Sequence, residues 1–180
     1  ATATYTVSPV SGTCTGLPFT VTVTVNPKPV VTDKTTTICS EGTFTVTPAG
    51  VPAGTTYTWG APLILPAGSI TGGNAQAAGQ ASISQVLTNT TTSVATATYT
   101  VTPVSGTCTG SIFTVTVTVD PKPAVAAQTA TSCREATFTI PPGGVPVGTS
   151  YTWGAPVILP VGAITGESAQ ATGQASISQT

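Results

Sequence analysis

The sequence has no histidine, no methionine, and only four basic and five acidic side chains among its 180 residues. Without histidine no Ser-His or Cys-His pair can activate a nucleophile, and no imidazole can hold zinc. The acids Asp33, Glu41, Asp120, Glu135 and Glu167 stand singly at turns and linkers. A glycosidase needs two carboxylates per site and a calcium module needs several oxygen ligands in one loop, and neither pattern occurs. The expectation is a chain that is not an enzyme and takes no cofactor or metal. A charged fraction of 5 % and a net charge of −1 leave no field to gather phosphate backbones or anionic lipids, so nucleic acid is not an expected partner. The longest apolar stretch, APLILPA from Ala61 to Ala67, is far shorter than the roughly 20 residues of a membrane span. No basic-then-apolar leader opens the chain, and we read it as an interior slice of a longer secreted protein.

What fills the gap is threonine, valine, alanine and glycine, arranged in a repeat. FTVTVTVNPKP at Phe19 returns as FTVTVTVDPKP at Phe113; ATATYTV recurs at Ala95, SGTCTG at Ser105, YTWGAP at Tyr151 and GQASISQ at Gly173. All share the offset that carries Cys14 to Cys108, without a gap, and about 70 % of the overlapping positions are identical. A period of roughly 94 residues is too long for a solenoid coil and suits one small sandwich domain per repeat. Pro27, Pro29, Pro121 and Pro123 punctuate it, since each proline fixes its own φ and pushes the residue before it toward extended backbone, giving short stiff linkers. This phasing makes residues 1–26 the last two strands (F and G) of a preceding domain, 27–120 one complete domain, and 121–180 the first strands (A to E) of a following one.

Within the complete domain the apolar period is two. Phe44 and Val46, Tyr57 and Trp59, Ala81 and Ile83, Ala97, Tyr99 and Val101, then Phe113, Val115, Val117 and Val119 alternate with hydroxyl-bearing residues, each set forming one inward face. Turn signals such as SEG, PAGVPAG and TNTTTS separate them, and no capped amphipathic helix competes. The fold class expected is all-β: a string of immunoglobulin-like sandwiches of about seven antiparallel strands, with A near Val30, B near Phe44, C near Tyr57, E near Ile83, F near Tyr99 and G from Phe113. Trp59 then falls on strand C, and Tyr99 suits a tyrosine corner. We assign Trp59, Trp153, Tyr57, Tyr99 and Tyr5 to the core rather than to a ligand site. GSITGGN at Gly68 lacks the lysine and helix of a phosphate loop and reads as a turn; NTT at Asn89 fits a glycosylation acceptor, a cheap match in a threonine-rich chain.

ICSEGTFTVTP at Ile38, YTWGAP at Tyr57, ATYTVTPVSGTCTG at Ala97 and FTVTVTVDPKP at Phe113 resemble the PKD-like repeats of giant surface adhesins in Bacteroidetes, secreted by the type IX system and including the SprB-type gliding adhesins. The resemblance covers the whole chain. It implies an extracellular, cell-surface location and a thread-like stalk used in adhesion and gliding motility.

The cysteines, two per repeat without metal-ligand spacing, read as disulfide formers: Cys14, Cys39, Cys108 and Cys133. One pair per domain favours Cys39 with Cys108. An immunoglobulin-like order, however, puts the A-to-B and F-to-G turns at opposite ends, about 25 Å apart for strands of eight residues, whereas a disulfide tolerates about 7 Å between Cα atoms. Either the first strand is short, or each A-to-B cysteine reaches the F-to-G cysteine of the following domain.

The function expected is structural: repeats forming the shaft of a surface adhesin or extracellular fibre, with neighbouring repeats of the same chain as partners. Few charges guard the strand edges, so lateral self-association into fibres is also expected. Two alternatives compete with this reading. The repeats could be spacers carrying a lectin or hydrolase domain elsewhere in the parent chain. Or Thr114, Thr116 and Thr118 could bind ice, although one such ladder per repeat is too few.

Overall fold

The computed structural model describes residues 1–179. Residues 2–24 carry β1 (Thr2–Val7), the short β2 (Val10–Ser11) and β3 (Cys14–Thr15), and β4 (Phe19–Thr24). β1 and β4 pair antiparallel from Thr2↔Thr24 to Val7↔Phe19, with the β2–β3 ladder continuing the hairpin beyond them. Threonine alternates with Ala3, Tyr5 and Val7 on β1 and with Phe19, Val21 and Val23 on β4, and β-branched and aromatic side chains sit comfortably on a pleated surface.

Ten strands follow: β5 (Lys34–Cys39), β6 (Gly42–Val46), β7 (Thr56–Trp59), β8 (Leu63–Leu65), β9 (Ile70–Thr71), β10 (Gln76–Gln80), β11 (Ile83–Asn89), β12 (Ala95–Ser105), β13 (Cys108–Thr109) and β14 (Phe113–Asp120). One sheet runs β10-β7-β12-β14-β5, with β8 and β13 also paired to β12; the other runs β6-β11-β9. The inward residues of the two sheets meet in one core. Phe44, Ile70, Ile83 and Leu87 from the smaller sheet face Tyr57, Trp59, Ala95, Ala97, Tyr99, Val101, Phe113, Val115, Val117 and Val119 from the larger. All fourteen are buried, and all lie between Pro29 and Asp120. Burial of each large aliphatic side chain contributes about 1.5–3 kcal/mol.

Two details differ from the sequence reading. The first strand of this sandwich begins at Lys34 rather than near Val30, and it pairs parallel to β14, from Val115↔Lys34 to Asp120↔Cys39, whereas every other pair among the described residues is antiparallel. The chain enters the sandwich at the end where β14 begins and leaves it where β5 ends, so the two strands run the same way. Asp33 fixes the start of the pair by accepting the Thr114 N–H at 2.7 Å.

Residues 138–179 form β15 (Phe138–Ile140), β16 (Tyr151–Trp153), β17 (Gln170–Gln174) and β18 (Ile177–Gln179), paired β15 with β18 and β16 with β17. These repeat the β6–β11 and β7–β10 pairs one period later. Their inward side chains stay half-exposed because no counterparts of β12 and β14 lie against them. The same effect governs the N-terminal hairpin: Phe19 is 51 % exposed, whereas Phe113, in the same string one period on, is 3 % exposed.

Candidate functional site at the domain joint

The aromatic residues singled out in the sequence divide by location. Tyr57, Trp59 and Tyr99 are buried in the core, Tyr5 is exposed on β1, and Trp153 on β16 is half-buried. Tyr57 meets Phe113 edge-on with centroids 6.2 Å apart, and Phe44 tilts against Tyr99 at 5.4 Å. The Trp59 indole N–H donates to the Asn74 carbonyl at 3.1 Å, and Trp153 repeats this with Ser168. Tyr99 does not form a tyrosine corner. It lies five strand positions into β12 rather than at a corner, and its hydroxyl crosses the sandwich to donate to Gln85 Oε1 on β11 at 2.8 Å. Burial pushes the Tyr99 phenol up to about 12, and that of Tyr57 upward as well. Tyr57, Trp59 and Tyr99 are packing residues of the core.

The four linker prolines are not equivalent. Pro27 and Pro123 are exposed and Pro121 is half-exposed, but Pro29 is fully buried. Pro29 packs beneath Gly110 in the turn between β13 and β14; a Cβ at Gly110 would collide with the Pro29 carbonyl oxygen and ring. Beside it the Cys108 thiol points at the Asn26 carbonyl, 3.8 Å away. Residues 26–29 thus seat on the turn between β13 and β14.

At the far end of the sandwich a second set of contacts holds the outgoing linker. Ser40 N–H donates to the Asp120 carbonyl at 2.8 Å, and Glu41 N–H to that of Leu87 at 2.8 Å. Glu41 adopts a φ of 70°, the left-handed region that ordinarily favours glycine. Its carboxylate accepts a hydrogen bond from Lys122 Nζ at 2.6 Å, which raises the lysine pKa. Asn89 braces the same end: its Nδ2 donates to Val119 and Ser93 carbonyls, each at 2.8 Å, its Oδ1 accepts from Thr91, and its backbone N–H donates to Ser40 Oγ at 2.9 Å. The NTT pattern therefore marks a buried structural amide whose nitrogen is already engaged, in keeping with its reading as a cheap match to the acceptor pattern. Nothing in the pattern distinguishes the two roles; the neighbouring contacts do.

The favoured Cys39–Cys108 pair also needs correction. All four cysteines are free thiols. Cys39 lies opposite Asp120 at the end of β14, and Cys108 lies before its start, paired with Ser105. The eight-residue length of β14 separates them by roughly 25 Å, well beyond the reach of a disulfide. A short first strand does not rescue the pair, because β5 runs parallel to β14 and carries Cys39 away from the F-to-G turn.

Glu135 and Glu167 line one cavity together with Arg134. Asp33 caps Thr114, which holds its carboxyl below the usual range; Glu41 binds Lys122; Glu135 lies 3.5 Å from Arg134. Among the described residues no group of three His, Cys, Asp or Glu side chains is placed to hold a metal ion. The outer face of the larger sheet holds more threonine than the sequence suggested: β5 and β12 flank β14, setting Thr98–Thr116–Thr35 and Thr96–Thr118–Thr37 in rows. Adjacent strands are rotated by about 20–25°, so these hydroxyls do not form a flat lattice-matching array.

The profile described as "PKD-like domain" matches residues 1–29 and 36–123, so both matched stretches end on the second proline of a Pro-Lys-Pro. No curated protein matches the chain.

Proposed function

The chain belongs to the PKD-like domain family, and from that premise we propose that it is a structural repeat of an extracellular shaft. In this reading residues 1–26, 27–120 and 121–180 belong to three successive domains, and copies are added for length. The supporting observation is the joint: Pro29 is buried beneath Gly110 at one end of the sandwich, and Lys122 is tied to Glu41 at the other. Linkers held on both sides transmit orientation from one domain to the next, which is what a stalk requires and what a freely jointed set of binding modules does not. The finer assignment, a surface adhesin of the type IX-secreted, gliding-associated kind, rests on the sequence resemblance. Lateral self-association along the sparsely charged sheet edges belongs to the same proposal.

Imaging of tandem copies tests it. Strands of about eight residues predict an extended thread advancing about 35–45 Å per domain. Compact particles would overturn the shaft reading. Purified repeats that stay monomeric at millimolar concentration without added salt would remove the lateral part alone.

A further inference from the structure

The two cysteines of the complete domain lie at opposite ends, and each sits against a linker. Cys108 Sγ is 3.8 Å from the carbonyl oxygen of Asn26, the last residue before the incoming Pro-Lys-Pro. Cys39 is the register partner of Asp120, the last residue before the outgoing one. Asn26 and Asp120 are the same position in successive repeats, so both contacts describe the two sides of one kind of joint.

Superposing the joints by that period brings the cysteines together. At the outgoing joint the Asp120 carbonyl accepts the N–H of Ser40, next to Cys39, at 2.8 Å. In the repeat begun by residues 121–180, the F-to-G cysteine equivalent to Cys108 would point at that same oxygen, as Cys108 points at Asn26. Two contacts sharing one atom place that sulfur within roughly 7 Å of the Ser40 nitrogen, one residue from Cys39, so the two cysteines approach the same carbonyl. Cys39 is exposed and Cys108 only half-buried, so neither thiol is sealed in a core.

We infer that each joint of the string is closed by a disulfide between the A-to-B cysteine of one domain and the F-to-G cysteine of the next. The inference rests on the tandem-string reading. In the 180-residue chain the four cysteines stand at four different joints: Cys14, Cys108, Cys39 and Cys133 in order along the string. The chain therefore has no internal pair. Formation couples two thiols with a disulfide oxidant: the S–S bond forms between the domains, the oxidant's own S–S bond breaks, and its two sulfurs take up the two protons as thiols.

Two extended chains test the inference at two joints. Fusing a second copy of residues 87–123 after Thr180 completes the following domain in phase; fusing a copy of residues 27–94 before Ala1 completes the preceding one. Each is treated with oxidised glutathione and mapped by mass spectrometry without reduction. The first is expected to show one cross-link, from Cys39 to the added copy of Cys108, and Cys39→Ser should abolish it. The second is expected to show one from the added copy of Cys39 to Cys108. The unextended chain should show no intrachain cross-link under the same treatment. A Cys39–Cys108 cross-link in any of the three overturns the inference. So do free thiols at both completed joints, and if such chains still image as extended threads, the staple fails while the shaft reading stands.

Discussion

Replacing Tyr99 with phenylalanine separates the two things the buried hydroxyl does. At neutral pH it donates to Gln85 Oε1 at 2.8 Å, but that oxygen also accepts the Asn74 N–H at 3.0 Å. Its loss therefore orphans no acceptor, and the ring packing against Phe44 is retained. The cost expected is that of one ordinary hydrogen bond, about 0.5–1.5 kcal/mol. At alkaline pH the sign reverses. The folded-state phenol ionises near 12, above the ordinary value of about 10 for the unfolded chain, so the unfolded state gives up its proton first. The stability this group confers is complete below pH 10 and is lost as the pH rises toward 12. A phenol held near 12 rather than 10 corresponds to about 3 kcal/mol. The wild-type curve should therefore fall below that of Tyr99→Phe, crossing it between pH 10 and 12. Denaturant unfolding between pH 7 and 12, followed by Trp59 fluorescence with Trp153→Phe in both proteins, measures the difference, and the remaining tyrosines and lysines cancel from it. A difference constant across this range would refute the assignment of Tyr99 as a neutral buried donor.

Other consequences follow from the ends of the sandwich. Asn89→Ala removes both donors to the Val119 and Ser93 carbonyls and should destabilise the domain by about 1–3 kcal/mol, the cost of leaving buried groups unpaired; thermal unfolding unchanged from wild type would show that the amide is dispensable. Gly110→Ala should unseat Pro29, lowering stability by about 1–3 kcal/mol through overpacking and opening residues 26–33 to proteinase K; an equally resistant linker would mean that Pro29 is held by something else. Asp33 is held ionised by the Thr114 N–H, so its contribution is present above the ordinary value of 3.8 and disappears as pH falls through its lower folded value. Protection of the Thr114 amide from exchange, relative to its intrinsic rate, should fall over that acid range in the wild type and be low already at pH 5 in Asp33→Ala, and matching protection in the two proteins would contradict this. Residues 27–123 alone should fold cooperatively, since the buried core lies between Pro29 and Asp120; an unfolded spectrum would break the proposed boundaries.

The elements legible in the sequence were those in which one strand suffices to set the pattern. Val115, Val117 and Val119 alternate with threonine because one face of their strand is dry, and a period of two says so without reference to any neighbour. What escaped required knowing which strand lies beside which. The parallel β5 has no signature of its own, since KTTTIC would read the same in an antiparallel pair. That pairing in turn decides where Cys39 lies and why threonines of three strands adjoin rather than those of one. The partners of Tyr99 and Asn89 stayed hidden for a related reason: a local motif specifies the residue type, while the partner, Gln85 for one and Val119 for the other, comes from a strand distant in sequence.

The parallel pair also determines how a domain meets force. In the proposed string a load would enter β5 from the segment before it and leave through β14, pulling the two strands past each other. Six register pairs, from Val115↔Lys34 to Asp120↔Cys39, lie between those points, and parallel bonds are evenly spaced along the strands. They are strained together in shear instead of parting one at a time like a zip. The strand that the sequence described least well is thus the clamp that tension must break before the sandwich can open.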